Sequence, residues 1–248
     1  MEKIITYENL RKFTYSNDKI VASPIKGIIV AFHALGGCNM TYEDGRWDKV
    51  YAEMGLIRIS PYTEPWCWMN KQAVDYTDEI LDVLFKHYNL DENTPILVDG
   101  GSMGGLCALT YMCYAKRTPV ACIANCPVCD LPYHYTERDD LPRTLYNAFW
   151  NYDGNLNDAL KTASPIHLAD KMPDSEYYLF HTSGDRSVNK QKHSDVFVQK
   201  MKDFGRNITY FEIEGRSHCD VGEDMFEKGR TLTTETLKKY YEKRVANK

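Results

Sequence analysis

Pro95-Ile96-Leu97-Val98-Asp99-Gly100-Gly101-Ser102-Met103-Gly104-Gly105-Leu106-Cys107 decides how this chain folds. Pro95 to Val98 is a short apolar run, the mark of a strand buried on both faces. From Met103 to Ala115 the chain is almost wholly apolar over a helical length, which places that helix near the centre of the molecule. Between the two stands G-x-S-x-G around Ser102. A turn this sharp from strand to helix is crowded, and glycine lets the backbone make it. The serine hydroxyl is then lifted off the end of the sheet, and the Met103 amide at the start of the helix points to where an oxyanion would form. The plainer alternative is a glycine-rich turn whose serine only caps a helix; the flanking strand and helix favour a nucleophile.

Outward from this turn the chain alternates. Gly27 to Phe32 reads as a buried strand ending near Gly36-Gly37, and Leu56 to Ile59 as a second strand. Ala73, Tyr76, Ile80, Leu81, Leu84, Phe85 and Tyr88 recur at helical spacing. Val120 to Ala124, Tyr177 to Phe180 and Ile208 to Ile213 read as strands, with helices near Lys190 to Phe204 and from about Asp224. The first twenty-five residues suggest short antiparallel edge strands around Ser16-Asn17-Asp18. The pattern predicts an α/β fold: one domain over residues 1–248, with a mostly parallel sheet covered by helices on both faces. Residues 127–165 break into turns, aromatics and charge, and read as a cap or lid insertion. In such sheets the ligand sits beyond the carboxyl ends of the strands.

The composition is that of a globular protein, 43% hydrophobic and 26% charged. A net charge of -5 without a basic block speaks against nucleic acid as a partner. No segment has the apolar length of a membrane span, and polar residues break up the N-terminal apolar run, so a cytoplasmic location is expected. Of eight cysteines, Cys67, Cys107, Cys113, Cys122, Cys126 and Cys129 fall in or beside apparent core elements, which suits reduced thiols. Cys126-Pro127-Val128-Cys129 is a lone C-x-x-C with no second pair or nearby histidine in sequence, so no metal site is expected from it. Neither a phosphate-binding loop nor a dinucleotide fingerprint occurs, and the expected chemistry needs no cofactor.

A serine is a weak nucleophile until a base, itself held by a third group, takes its proton. His218, in Glu214-Gly215-Arg216-Ser217-His218-Cys219-Asp220 after the last strand, is placed to reach back over the sheet. His193 falls within a charged helix and reads as a solvated face residue, whereas His181 and His167 read as packed, hydrogen-bonded histidines. Asp185 follows a strand and a glycine in His181-Thr182-Ser183-Gly184-Asp185 and is the favoured acid, with Asp220 its rival. His33-Ala34-Leu35-Gly36-Gly37 follows the first buried strand; Leu35 is the candidate second oxyanion amide, ahead of Ala34, and His33 reads as structural. Trp66 and Trp68, in an aromatic loop after the second strand, and Trp150, in the irregular insertion, are candidates for a substrate-binding wall.

Together these segments resemble the α/β-hydrolase superfamily from about Gly27 to the C-terminus. The nearest branch is similar to prolyl-oligopeptidase-type domains, dienelactone hydrolases and small bacterial esterases. Their H-G-x-x-D-x-x-V-P pattern is matched by His181, Asp185 and Val188, their G-x-x-H by Gly215 and His218, and their S-P by Ser164-Pro165. Thr182, Asn189 and Ala34 depart from the glycine, proline and glycine usual at those positions. The resemblance implies the chain order Ser102, Asp185, His218 and a serine hydrolase acting on a small-molecule carboxylic ester through an acyl-enzyme. An aminopeptidase or acyl-peptide hydrolase, and a binding protein that keeps the fold without catalysis, are the alternatives.

Overall fold

The computed structural model describes residues 4–37 and 43–246; Cys38 lies outside them. Strands β1 (Thr14–Ser16), β2 (Gly27–Phe32), β3 (Leu56–Pro61), β4 (Ile96–Gly101), β5 (Ala121–Asn125), β6 (Glu176–Thr182) and β7 (Ile208–Ile213) form one sheet in the order β1-β3-β2-β4-β5-β6-β7. Only β1 runs antiparallel, pairing with β3. The expected N-terminal edge is thus a single three-residue strand, flanked by 3-10 turns at Leu10–Lys12 and Asp18–Ile20.

Every residue of β2 is buried, as its unbroken apolar run requires, whereas β7, which closes the far edge, has no buried residue. One face of the sheet packs under α2 (Lys71–His87), α3 (Met103–Tyr114) and α8 (Ser194–Asp203) around Ile28, Val30, Val98, Leu106 and Phe197. The other is covered by α1 (Arg46–Glu53) and α9 (Gly222–Ala246), which meet Ile29, Leu97 and Ile123 through Tyr51 and Leu237. Among the described residues, no helix is long and apolar enough to cross a membrane.

Between β5 and β6 the chain forms four short helices, α4 (Leu131–His134), α5 (Leu141–Phe149), α6 (Leu156–Thr162) and α7 (Pro165–Leu168). Leu131, Leu141, Leu145, Leu160 and Ile166 from this segment belong to the same apolar cluster as α2 and α3. It is therefore built into the core on that face.

Candidate active site

Strand register fixes where the site lies. Phe32 pairs with Gly100, Gly101 with Asn125, Asn125 with Phe180 and Thr182 with Ile213, so the carboxyl ends of β2, β4, β5, β6 and β7 form one rim. Ser102, the loop after Phe32, Asp185 and His218 all follow directly from that rim.

Ser102 sits at φ 56° and ψ −123°, a strained conformation for a residue with a side chain, costing about 1–3 kcal/mol. Close packing on both sides holds it there. A methyl group on Gly100 would come within 2.3 Å of the Gly104 carbonyl oxygen, and one on Gly104 within 2.4 Å of that of Phe32. Glycine is needed at both positions because β2, β4 and α3 touch backbone to backbone.

Asp185 has a fully buried side chain. Its Oδ1 accepts the amides of Ser187 at 2.8 Å and Val188 at 3.0 Å, and its Oδ2 lies 2.6 Å from His218 Nδ1 and 3.2 Å from His181 Nε2. Burial opposes its charge, but the two imidazoles and the two amides outweigh burial and hold the carboxyl well below the usual carboxylate range. Burial likewise opposes charge on His218; the Asp185 hydrogen bond, joined by the Cys126 thiol, pushes it up to about 9. Asp220 faces away, paired with Arg216 at 3.1 Å. His181 is packed as its strand-end position suggested, with Nδ1 2.6 Å from Ser194 Oγ, whereas the His167 side chain is 36% exposed.

The structure brings Ser102 and the His218 loop to the same corner without a hydrogen bond between the serine hydroxyl and the imidazole among the described residues. The link runs through Asn125: its carbonyl accepts the Ser102 amide at 2.9 Å, and its Nδ2 donates to the Cys219 carbonyl at 3.0 Å. Catalytic hydrogen bonds often close only when substrate binds. His218 Nε2 meanwhile lies 3.6 Å from Cys219 Sγ.

Two backbone amides follow the ends of β2 and β4 on this rim. Met103 opens α3, so its N–H has no acceptor within the helix, and neither it nor the Leu35 N–H has an acceptor among the described residues. Ala34 is exposed, leaving room for the methyl group that replaces the usual glycine hydrogen. His33 pins the loop through Nδ1, which donates to the Ala34 carbonyl at 2.9 Å, and through Nε2, 2.7 Å from Thr63 Oγ1.

The three tryptophans differ in burial. Trp68 is 1% exposed and its indole N–H donates to Thr144 Oγ1 at 3.1 Å, so it joins the core under α5. Its apolar body is saturated by that packing, which corrects the expectation of a free pocket wall. Trp66 is half-buried beneath Arg143, and Trp150 is 68% exposed. A cavity of about 440 Å³ lies on the opposite face of the sheet, where Trp47, Arg58, Phe180 and Arg230 surround it and it reaches Gly100 and Gly101 from behind.

His193 also corrects the sequence reading. Helix α8 begins only at Ser194, and the turn before it swings His193 fully inside. There its Nδ1 accepts the amides of Cys129 and Asp130, each at 3.1 Å, and its Nε2 donates to Glu137 Oε2 at 2.8 Å. Glu137 Oε2 also meets His134 Nδ1 at 2.5 Å, and its Oε1 accepts the Asn189 amide at 3.1 Å. The asparagine in place of proline therefore supplies an N–H that proline lacks, tying the acid loop to the segment after α4. Thr182, in place of glycine, donates its hydroxyl to the Ser217 carbonyl at 3.0 Å beside His218.

No protein-family model matches the chain, and no curated protein matches it. Solved structures do. An S-formylglutathione hydrolase from Agrobacterium tumefaciens superposes with a TM-score of 0.64 at 15% identity, over 92% of this chain and 94% of its own. The fold is that of the α/β-hydrolases. A second α/β-hydrolase structure, esterase 2 of Thermogutta terrifontis phosphonylated by sarin, matches with a TM-score of 0.62 at 17% identity, over 90% of this chain and 88% of its own. An acylaminoacyl peptidase in complex with a chloromethyl ketone matches with a TM-score of 0.65 at 15% identity, covering 90% of this chain. This chain spans only 38% of that peptidase's length.

Proposed function

We propose that this chain is a serine hydrolase acting on small carboxylic esters, with Ser102 as nucleophile, His218 as base and Asp185 orienting the base. The observation that carries the reading is the buried Asp185 carboxylate 2.6 Å from His218 Nδ1, delivered to the strand rim from which the strained Ser102 projects. Ser102 attacks the ester carbonyl while His218 Nε2 takes its proton; the amides of Met103 and Leu35 receive the oxyanion. The same proton then goes to the leaving alcohol, and water repeats the sequence on the acyl-enzyme. Trp66 and Trp150 are the remaining candidates for contact with substrate, and the α4–α7 segment for its cover.

Esters are favoured over peptides because the structures matched nearly end to end are an S-formylglutathione hydrolase and an esterase, whereas the peptidase match covers a minor part of that protein. The test is initial rates on p-nitrophenyl esters of increasing acyl length beside an aminoacyl p-nitroanilide, for the wild type and Ser102→Ala. Ester turnover falling by about 10⁶-fold in the variant is the expected result. Anilide turnover alone would shift the assignment to a peptidase, and no labelling of Ser102 by a fluorophosphonate would overturn it altogether.

A further inference from the structure

Cys126 sits at the end of β5, one half of the C-x-x-C whose other half, Cys129, is buried elsewhere against the Pro127 carbonyl. The histidine that the sequence does not place near Cys126 arrives from the loop after β7. Cys126 Sγ, Cys219 Sγ and His218 Nε2 all lie within 4.8 Å of one another. We propose that these three atoms form a site for a thiophilic d¹⁰ cation, Zn²⁺ foremost, and that its occupancy silences the hydrolase.

The geometry suits such an ion. With Zn–S near ~2.3 Å and Zn–N near ~2.0 Å, a tetrahedral centre separates a sulfur from a nitrogen ligand by about 3.5 Å. His218 Nε2 and Cys219 Sγ are 3.6 Å apart. The nitrogen is also in the right state: Nδ1 donates to Asp185, leaving the Nε2 lone pair turned to the two sulfurs, and this carboxylate–imidazole support is what a metal-bound histidine usually has. Cys126 Sγ accepts the Cys219 amide at 3.4 Å, a contact that steadies a thiolate. His218 keeps 24% of its side chain exposed, which gives an ion a way in and leaves the fourth position to solvent. Binding displaces the two thiol protons to solvent, and no electron changes hands.

The other histidine clusters do not meet the same conditions. In the His134, Glu137 and His193 group, His193 Nδ1 accepts two backbone amides, so Nε2 carries the proton and offers a metal no lone pair. His181, which also lies near Cys126, has no exposed surface, and the Asp185 beside it is already bonded on both oxygens.

Silencing rests on the function proposed above, since a metal on Nε2 occupies the lone pair that would accept the Ser102 proton; binding does not. The experiment reads the two separately. Metal-free protein is titrated with Co²⁺, following the thiolate-to-cobalt charge-transfer band, and then with Zn²⁺ in competition, for the wild type, Cys126→Ser and Cys219→Ser. Expected are saturation at one ion per chain and affinity at least about tenfold weaker in each variant. A Zn²⁺-dependent rise in Tm confined to the wild type is a second binding readout. The absence of a charge-transfer band, or equal affinity in folded variants, would overturn the site. If the wild type hydrolyses esters, its rate should fall with the Zn²⁺ midpoint found by competition; full activity at saturation would overturn the silencing. A protein inactive on every ester defeats the hydrolase reading and the silencing drawn from it, while the cobalt titration still decides the site.

Discussion

Asp185 Oδ2 lies 2.6 Å from His218 Nδ1, the acid side chain wholly enclosed and the base 24% exposed. A buried carboxylate bonded to two amides and the His218 ring, with His181 Nε2 packed 3.2 Å away, is fixed in place, so the ring it holds is fixed as well. Asparagine keeps the shape, but its amide can present an N–H to the ring and favour the tautomer that leaves Nε2 protonated. Asp185→Asn should therefore fold and lose about 10⁴-fold in kcat on an ester substrate, with little change in KM. A loss of under tenfold, measured by steady-state kinetics, would remove Asp185 from the mechanism.

The acidic environment of His218 gives an unusual pH profile. The free imidazole acts as a base only when neutral, and its pKa is pushed up to about 9 by Asp185 and Cys126 against the effect of burial. With a chelator present, kcat/KM should keep rising through neutral pH, reach half its plateau near pH 9 and level off only above it. Cys126→Ala removes one of the two groups favouring the charged ring, so its rise should shift toward the ordinary histidine value of about 6.5. Identical profiles for the two proteins would discount the thiol.

These two residues also mark how far the sequence reaches. The apolar runs around Val30 and Val98 and the glycines at 100 and 104 fix the sheet and the turn because their requirements are local: burial on both faces, and room for backbone contact. His218 and Asp185 are legible for a similar reason, each standing just past a strand. Cys126, Asn125 and Glu137 are not, because their partners are 93, 94 and 56 residues away and meet only through register. His193 misleads because charged neighbours suggest a solvated helix, while the first turn of that helix is absent. Trp68 misleads because an aromatic-rich loop reads alike whether its rings line a pocket or close the core.

The contact between the end of β2 and α3 makes a prediction about stability. An added methyl at Gly104 would meet two backbone carbonyl oxygens, those of Phe32 at 2.4 Å and His33 at 2.8 Å, and neither can rotate away as a side chain could. Gly104→Ala should cost about 3 kcal/mol or more, the upper range of overpacking. Because the displaced segment leads to Leu35, ester activity should fall further than the folded fraction does. Urea unfolding with a parallel rate measurement checks both; a Cm unchanged from wild type would mean that the turn is looser than this geometry.

Glu137 makes the last prediction, since it joins the segment after α4 to the acid loop and to His193. Burial opposes its charge, but hydrogen bonds from His134 and His193 bring its pKa down to about 2. A carboxyl depressed on folding stabilises the native state above its unfolded pKa of about 4.3, and that contribution drains away as pH falls toward 2. The shift corresponds to roughly 3 kcal/mol, an upper figure for a side chain still 11% exposed. Glu137→Ala leaves two buried imidazoles and the Asn189 amide without their acceptor, so it should cost about 3 kcal/mol at neutral pH, a drop of roughly 10 °C in Tm for a chain of this size. Between pH 5 and pH 3 the wild type should lose stability faster than the variant, and the two curves should converge. Parallel curves over that range, followed by circular dichroism, would show that Glu137 carries no pH-dependent share of the fold. If the brace also sets the position of Asp185, Glu137→Gln should lower kcat while leaving the Ser102 labelling rate at saturating fluorophosphonate reduced by the same factor, because both reactions need the same oriented His218.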